Sequence, residues 1–478
     1  MNVRMATLAC WLAAAAAGRA DTYTGAAWAV RFNRPDQNTA FGKVWPEEYA
    51  IRDAFLARID SLGSNDWGCL ATFTFSGNSA ESGAAGPILA AMSNALGRGA
   101  KLAFVADNGV NAASNYWPGI SLNSLAARPG NALQLSRAPS DSGIMHDKTG
   151  VFWYRARTQA WVLTGSWNFT GGASAQQWNV LAEIQNNALG GAYSNEMREM
   201  LSGRFHAHPG KSHAHDGTGF RIAGTWRPGW VRFGPYPDGS SGGDNALTDI
   251  VGEIDKATNM IVFALNKLTR MEVADALIRA CDRGVRVNGT IPKSDRATTN
   301  DSSHATWQAL SAASNYATAN RAFLYDAYAA AARTNYDAGE YDLVHTKYMA
   351  IDPYGAAPMA IHGSANWTAQ ALAYTNMNDE NVLFLPHGGM ARAFAAQFNA
   401  MTDGVVPSCR IRSGGASAVQ IQYWLPFTSR YEVVHTTNVF DLGGWTNRTA
   451  LLPAGRGSNT ILVTRGGERL FYRIRGVP

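Results

Sequence analysis

The sequence predicts an α/β fold of two similar halves closed by a small all-β module, and three observations carry that prediction. An ordered polar set occurs twice, the apolar pattern around it occurs twice, and the pattern changes after Cys409. The first polar set reads His146, Lys148, then Gly165, Ser166, Asn168 and Thr170, then Glu183. The second reads His345, Lys347, then Gly363, Ser364, Asn366 and Thr368, then Glu380. The spacings are nearly constant at 199 residues (146 to 345), 198 (165 to 363) and 197 (183 to 380). A core needs apolar residues, so imidazoles and amines repeated in one order mark a duplicated half-site.

Taken in order, residues 1–20 read as a secretory signal. Arg4 supplies the positive start, Met5 to Ala17 the apolar run, and Gly18-Arg19-Ala20 the small residues at a cleavage point near Ala20. That run is too short to span a bilayer, and no later segment is long and apolar enough to be a membrane helix. The chain is therefore expected to be secreted or periplasmic, with no transmembrane segment in its mature form. Loss of Cys10 with the signal leaves Cys69, Cys281 and Cys409, too few for a disulfide-stapled scaffold; Cys69 and Cys281 read as buried thiols.

The first half is placed at residues 21–205. Val30-Arg31-Phe32 precedes a buried strand at Cys69 to Phe75, a helical pattern from Gly86, Gly99 at a turn, and a second strand ending near Asp107. The second half, residues 220–408, repeats this with Val231-Arg232-Phe233, a strand at Asn259 to Leu265, a helix from Met271, Gly284, and a strand to Ile291. Each glycine sits where a helix stops and the chain turns, so each half holds a βαβ unit. The connector, 206–219, has four histidines, but its Pro and Gly content and lack of neighbouring carboxylates or thiols favour a solvated loop over a metal site. Residues 416–478 alternate apolar and polar residues in short runs and read as a small antiparallel β module.

Charge excludes little. Without Arg4 and Arg19 the chain has 39 basic and 36 acidic residues, a net charge of +3, with no dense basic run. That excess is too small to argue for a polyanionic partner, though it leaves nucleic acid open.

If the halves meet face to face, two ammonium groups and several hydrogen-bond donors surround one point, a setting suited to a tetrahedral phosphate. One imidazole then attacks phosphorus, and the other protonates the departing oxygen. A carboxylate beside each ring would hold its tautomer. Water cleaves the phosphohistidine in a second displacement, with no metal or other cofactor.

HxK followed by GSxN, in two copies, resembles the phospholipase D superfamily and its HxKxxxxD signature. The second copy matches through Asp352, whereas the first carries Trp153 at the aspartate position. The resemblance covers residues 25–402 and implies a duplicated phospholipase D-like fold: two pseudo-symmetric halves, each a mixed sheet flanked by helices. It implies His146 as nucleophile and His345 as general acid and base. Lys148, Lys347, Ser166, Asn168, Ser364 and Asn366 would bind the phosphate, Glu183 and Glu380 would each orient a histidine, and Asp352 would be structural. Trp167 and Trp367 read as core residues or as the lining of a substrate pocket. The expected activity is phosphodiester hydrolysis, with phospholipid as the leading substrate. A nuclease, a transferase using an alcohol, and a catalytically silent phosphate- or lipid-binding protein are the alternatives.

Overall fold

The computed structural model describes residues 22–33, 49–77, 83–116, 118–141, 143–236, 243–292, 302–311, 323–324, 343–374 and 377–401, and six strands between 408 and 476. The expected signal at 1–20 and Pro35 lie outside these residues. Two compact units result, Ala20–Phe398 and a unit that includes Asn399–Pro478.

In the larger unit the first half runs β1 (Thr22–Gly25), β2 (Trp28–Phe32), α1 (Ala50–Asp60), β3 (Trp67–Thr72), α2 (Ala85–Gly97), β4 (Lys101–Ala106), α3 (Leu122–Ala126) and β5 (Gln134–Arg137). It continues through β6 (Lys148–Tyr154), β7 (Gln159–Gly165), α4 (Gly171–Ala175), β8 (Gln177–Trp178), β9 (Val180–Gln185) and α5 (Asn187–Leu201). The second half runs β10 (Gly219–Phe220), β11 (Gly229–Phe233), α6 (Ala246–Asp255), β12 (Met260–Leu265), α7 (Met271–Asp282), β13 (Arg286–Thr290), α8 (Ser302–Ser311) and β14 (Phe323–Leu324). It closes with β15 (Leu343–Val344), β16 (Lys347–Ile351), β17 (Met359–Gly363), α9 (Ala369–Leu372), β18 (Asn381–Leu385) and α10 (Gly388–Met401).

Each half builds one eight-stranded mixed sheet, ordered β1-β2-β9-β7-β6-β3-β4-β5 in the first and β10-β11-β18-β17-β16-β12-β13-β14 in the second. The two orders are the same list, strand for strand. The expected βαβ units are β3-α2-β4 and β12-α7-β13, and both strand pairs are parallel. All six residues of β12 are buried, which is why its apolar run lacks alternation. In α7, Val273, Leu277, Ala280 and Cys281 recur at helical spacing and face the core, and Gly284 ends the turn at φ +92. Gly99 does the same after α2 at φ +88.

Each half has its own apolar core. The first gathers Phe55, Leu89, Phe104, Phe152, Trp167 and Phe169, and the second Ile250, Phe263, Leu277, Met349, Trp367 and Phe384. Trp167 and Trp367 are thus core residues. Burying side chains of this size contributes about 1.5–3 kcal/mol each. Cys69 and Cys281 are buried, as expected, while the side chain of Cys409 lies outside the described residues.

Two short parallel contacts stitch the halves together. Val344 of β15 pairs with Trp178 of β8, and Met145 bridges Asp379. They are the same contact seen from either half, and each leads directly into a histidine of the repeated set.

The C-terminal unit has six described strands: β19 (Ser408–Ser413), β20 (Ala418–Leu425), β21 (Tyr431–Thr436), β22 (Asn447–Leu452), β23 (Gly457–Thr464) and β24 (Phe471–Gly476). They form two antiparallel three-stranded sheets, β19-β20-β23 and β22-β21-β24. Because β19 pairs with β20, the β-rich region starts at Ser408, earlier than the 416 read from alternation.

Candidate active site

His146 and His345 each stand two residues before a strand, and Lys148 and Lys347 are the first residues of β6 and β16. The HxK spacing folds each lysine back onto its own histidine. Lys148 Nζ donates to the His146 carbonyl at 2.6 Å, and Lys347 Nζ to the His345 carbonyl at 2.8 Å. Each ammonium keeps two protons for a ligand.

Gly165 and Gly363 end the neighbouring strands, β7 and β17. A Cβ at Gly165 would meet the Val180 carbonyl oxygen at 2.0 Å, and one at Gly363 the Asn381 carbonyl oxygen at 2.1 Å. Only glycine permits that approach, which lets the next residue's N–H bond the same carbonyl: Ser166 N at 3.0 Å and Ser364 N at 3.1 Å.

The ring partners come from opposite halves. His146 Nδ1 lies 2.7 Å from Glu380 Oε1, and His345 Nδ1 lies 2.9 Å from Asn179 Oδ1. A carboxylate and an amide oxygen both accept, so Nδ1 carries the proton in each ring and Nε2 keeps its lone pair. Glu380 therefore faces a histidine ring, but Glu183 does not. Glu183 lies in mid-strand β9 and receives Arg31 at 3.4 Å and Arg58 at 3.1 Å. The strand register explains the difference. Phe32 pairs with Val180 and Phe233 with Asn381, so the counterpart of Glu380 is Asn179, and the counterpart of Glu183 is Phe384.

The serines also depart from expectation. Ser166 Oγ donates to Asn179 Oδ1 at 2.8 Å and accepts from Val180 N at 3.0 Å. Ser364 Oγ donates to Glu380 Oε2 at 2.6 Å and accepts from Asn381 N at 3.0 Å. With their single protons spent, these buried hydroxyls position the ring partners and have no donor left for phosphate. Asn168 and Asn366 are half-buried, and the Oδ1 of each has no partner among the described residues, which leaves them as the open members of the GSxN strings. The cap of α4 is Thr170, whose hydroxyl accepts from Ala173 N.

Asp352 is structural. Its carboxylate accepts from the N–H groups of Thr258, Asn259 and Met260 at 2.7–2.8 Å and fixes the entry to β12. At the same corner of the first half Trp153 donates from Nε1 to Ser194, and the carboxylate comes from the facing chain. Asp66 accepts from Arg155 N at 2.8 Å and from Gly63 N at 2.9 Å. The departure at Trp153 moves a staple from one strand to its neighbour.

Besides Asn179, the site holds further groups that the repeated strings do not display. Phe73 stands half-buried at its rim, its ring centroid 4.9 Å from that of His146 and 5.2 Å from Lys148 Nζ. Asn381 donates to Asp147 Oδ1 at 2.5 Å and accepts from Thr164 Oγ1 at 2.8 Å and Tyr193 OH at 3.0 Å. Asp147, the variable residue of the first HxK, is buried beside it, 3.4 Å from Ser364 Oγ.

Burial dominates the electrostatics. It lowers both histidines well below their usual value, with Lys148 and Lys347 adding to the effect, so both rings are neutral in the free protein at neutral pH. Burial pushes Lys148 down to about 7, and burial with repulsion from Lys148 pushes Lys347 well down. It raises Glu380 to about 7 and Asp147 to about 7. Two neighbouring buried amines that hold their protons poorly are stabilised by an arriving anion, so the site suits an anionic ligand.

The connector is the solvated loop expected over 207–210 and at Ser212, Ala214 and Gly217, but not at three of its other residues. His206, Lys211 and His215 are buried, because the loop packs on carboxylates distant in sequence. Lys211 Nζ lies 2.6 Å from both Glu196 and Asp379, and His215 Nε2 lies 2.7 Å from Glu196. Glu196, Glu199 and His215 place ligand atoms within 4.8 Å of one another, but Lys211 and His215 already engage the two oxygens of Glu196.

Comparison with known proteins agrees with this geometry. The family described as "Cardiolipin synthase, PLD-like domain" matches residues 62–201 and 250–402. No curated protein matches. Among solved structures, phosphatidylserine synthase from Haemophilus influenzae superposes with a TM-score of 0.51 at 10% identity, covering 74% of this chain and 84% of that one. Polyphosphate kinase from Porphyromonas gingivalis gives a TM-score of 0.44 at 14% identity over 74% of this chain, which spans about half (48%) of that protein's length. Nuc from Salmonella typhimurium, a phospholipase D family member, gives a TM-score of 0.25 at 21% identity over 36% of this chain and 93% of its own. With both repeats covered by the family match and folded alike around paired HxK and GSxN strings, the chain belongs to the phospholipase D superfamily.

Proposed function

We propose that this chain is an exported phosphodiesterase that hydrolyses phospholipid diesters through a covalent phosphohistidine, without a metal. The observation that carries the reading is the unequal partnering of the two rings, carboxylate to His146 and neutral amide to His345. When His146 Nε2 bonds to phosphorus, its ring still holds the Nδ1 proton and becomes cationic, and Glu380 stabilises that charge. His345 has to release a proton to the leaving oxygen, and a neutral partner does not hold that proton back. The roles follow: His146 as nucleophile, His345 as acid and then base.

The steps balance. An anionic diester settles between Lys148 and Lys347, and its charge favours a proton on His345. Attack by His146 Nε2 forms the P–N bond as the P–O bond to the leaving alcohol breaks, and His345 supplies that alcohol's proton. Neutral His345 then takes a proton from water, the oxygen attacks phosphorus, and the P–N bond breaks to return His146. Export rests on the signal-like segment before Ala20, and phospholipid as substrate on the modest net charge without a dense basic run.

The test is purified mature protein with EDTA, assayed on bis-p-nitrophenyl phosphate and, side by side, on phosphatidylcholine or phosphatidylethanolamine vesicles and on single- and double-stranded DNA. The reading expects diester hydrolysis that EDTA leaves intact and release of head group from vesicles. Activity lost to EDTA and restored by zinc would overturn the metal-free mechanism; cleavage of DNA alone would make the protein a nuclease. Head-group exchange in the presence of added alcohol would make it a transferase.

A further inference from the structure

The connector between the halves has no place in the chemistry above, yet its Lys211 is among the most completely buried cations of the molecule, with 1% of its side chain exposed. Its ammonium sits 2.6 Å from Glu196 Oε1 and 2.6 Å from Asp379 Oδ1, both on fully enclosed side chains, and 3.4 Å from the Gly234 carbonyl oxygen. Asp379 also accepts from His206 N at 2.9 Å, so two residues of the connector grip one carboxylate.

Asp379 connects this cluster to the reacting ring. Its carbonyl accepts from His146 N at 2.9 Å, its N–H donates to the Ile144 carbonyl at 3.0 Å, and the next residue is Glu380, the ring partner of His146. The equivalent position beneath His345 is Trp178, whose carbonyl accepts from His345 N at 3.1 Å and whose side chain is buried. Among the described residues the charged anchor therefore lies under one of the two otherwise repeated histidines, His146.

We propose that Lys211 is a positioning residue for His146: by holding Asp379 it fixes the backbone that carries both His146 and Glu380, and so makes the connector part of the catalytic apparatus. The inference rests on the functional reading above. An ammonium that balances two enclosed carboxylates is costly to remove alone, because each loses its counter-charge. In return it fixes the spacing of two segments from different halves, and nucleophilic attack is steeply sensitive to such placement.

The experiment pairs a charge-balanced double variant, Lys211→Met with Asp379→Asn, with Lys211→Arg, which keeps the charge but not the compact ammonium. Both are compared with wild type on bis-p-nitrophenyl phosphate, with folding checked by circular dichroism. The double variant is expected to lose about ten- to a hundredfold in kcat, with KM changed less than about threefold. Lys211→Arg is expected to show a smaller loss of the same kind. The charged groups facing His146, namely Glu380, Lys148 and Lys347, with His345 opposite and Asp147 behind Ser364, are unchanged in either variant. A shift of the acid limb of the pH profile, set by Glu380, to higher pH then reports a loosened contact between Glu380 and His146, because the carboxylate loses the Nδ1–H donor that favours its charged form. Wild-type kcat and limb in both folded variants overturn the proposal, as does a loss of kcat with the limb unmoved, which would mark Lys211 as merely structural. If the double variant does not fold, Lys211→Arg decides by the same two readouts. A wild type inactive on every diester would remove the functional reading and this inference together, whereas an active wild type with unaffected variants would remove the inference alone.

Discussion

Glu380, from the second half, lies 2.7 Å from Nδ1 of His146 in the first, while the reciprocal position opposite His345 holds the uncharged Asn179. Neither half contains a histidine together with its own ring partner, so the site exists only across the junction. Glu380→Gln keeps the shape but offers an amide that can hold the wrong tautomer of His146 and cannot balance the charge of a phosphorylated ring. It is expected to lower kcat by roughly 10²–10⁴-fold. Asn179→Asp is expected to raise the pKa of His345 and retard loss of a poor leaving group more than that of p-nitrophenol. Steady-state rates on paired good and poor leaving groups check both.

The pH dependence should be bell-shaped. Lys148, held at about 7 by burial, loses its charge as pH rises through that value in the free protein. Glu380, raised to about 7 by burial, loses its charge as pH falls through it. The profile of kcat/KM should therefore have a narrow top near neutrality. A bound anion stabilises the ammonium and the His345 imidazolium, so the alkaline limb of kcat is expected at higher pH than that of kcat/KM. A soluble diester assayed from about pH 5 to 9, the range around the imidazole value, provides the check.

How much was legible follows from how each residue reaches the site. His146, Lys148, His345 and Lys347 arrive as short strings at strand starts, and the repeat displays them at once. Asn179 was hidden because the loop after GSxN differs in length, placing Asn179 thirteen residues after Ser166 but Glu380 sixteen after Ser364. Counting then selected Glu183, the next acidic residue. The pairing of Phe32 with Val180 and of Phe233 with Asn381 gives the true register, so the repeated Val-Arg-Phe string was the usable signal. Lys211 and Asp379 meet only through tertiary packing, and a Pro- and Gly-containing stretch reads as solvated until its distant carboxylates are known. The βαβ units were legible because buried parallel strands carry long apolar runs, whereas β19 and β22 of the C-terminal unit lack clean alternation.

The two corner carboxylates should separate stability from chemistry. Asp352→Ala leaves the N–H groups of Thr258, Asn259 and Met260 without their acceptor, and Asp66→Ala does the same to Arg155 and Gly63. Each is expected to destabilise the fold by about 1–3 kcal/mol, Asp352 more than Asp66 because more donors are orphaned. Activity per folded molecule should change little, since neither carboxylate touches the catalytic groups. Denaturant unfolding followed alongside diesterase activity tests this, and a large loss of turnover in folded Asp352→Ala would assign it a chemical role.

Asp147 supplies a prediction with a definite sign. Its carboxyl is enclosed, and burial together with nearby Glu196, Glu380 and Asp379 raises it to about 7, against which the hydrogen bond from Asn381 acts only in part. Because its folded pKa lies above its unfolded one, the protonated group's contribution to stability is complete below about pH 4, the ordinary value of an aspartate, and is lost as pH rises through about 7. Asp147→Asn removes the titration while its amide oxygen can still accept from Asn381 Nδ2, the contact now made at 2.5 Å. The variant should match wild type in Tm at pH 4 and exceed it at pH 8, by on the order of a few degrees. Its diesterase activity should persist, because Asn381 and Ser364 keep their other partners and Glu380 still faces His146. Thermal unfolding at the two pH values decides the matter: a variant less stable than wild type at pH 8 would mean that the ionised carboxylate supports the fold, through Lys148 or the Asn381 amide, and that burial does not govern its charge.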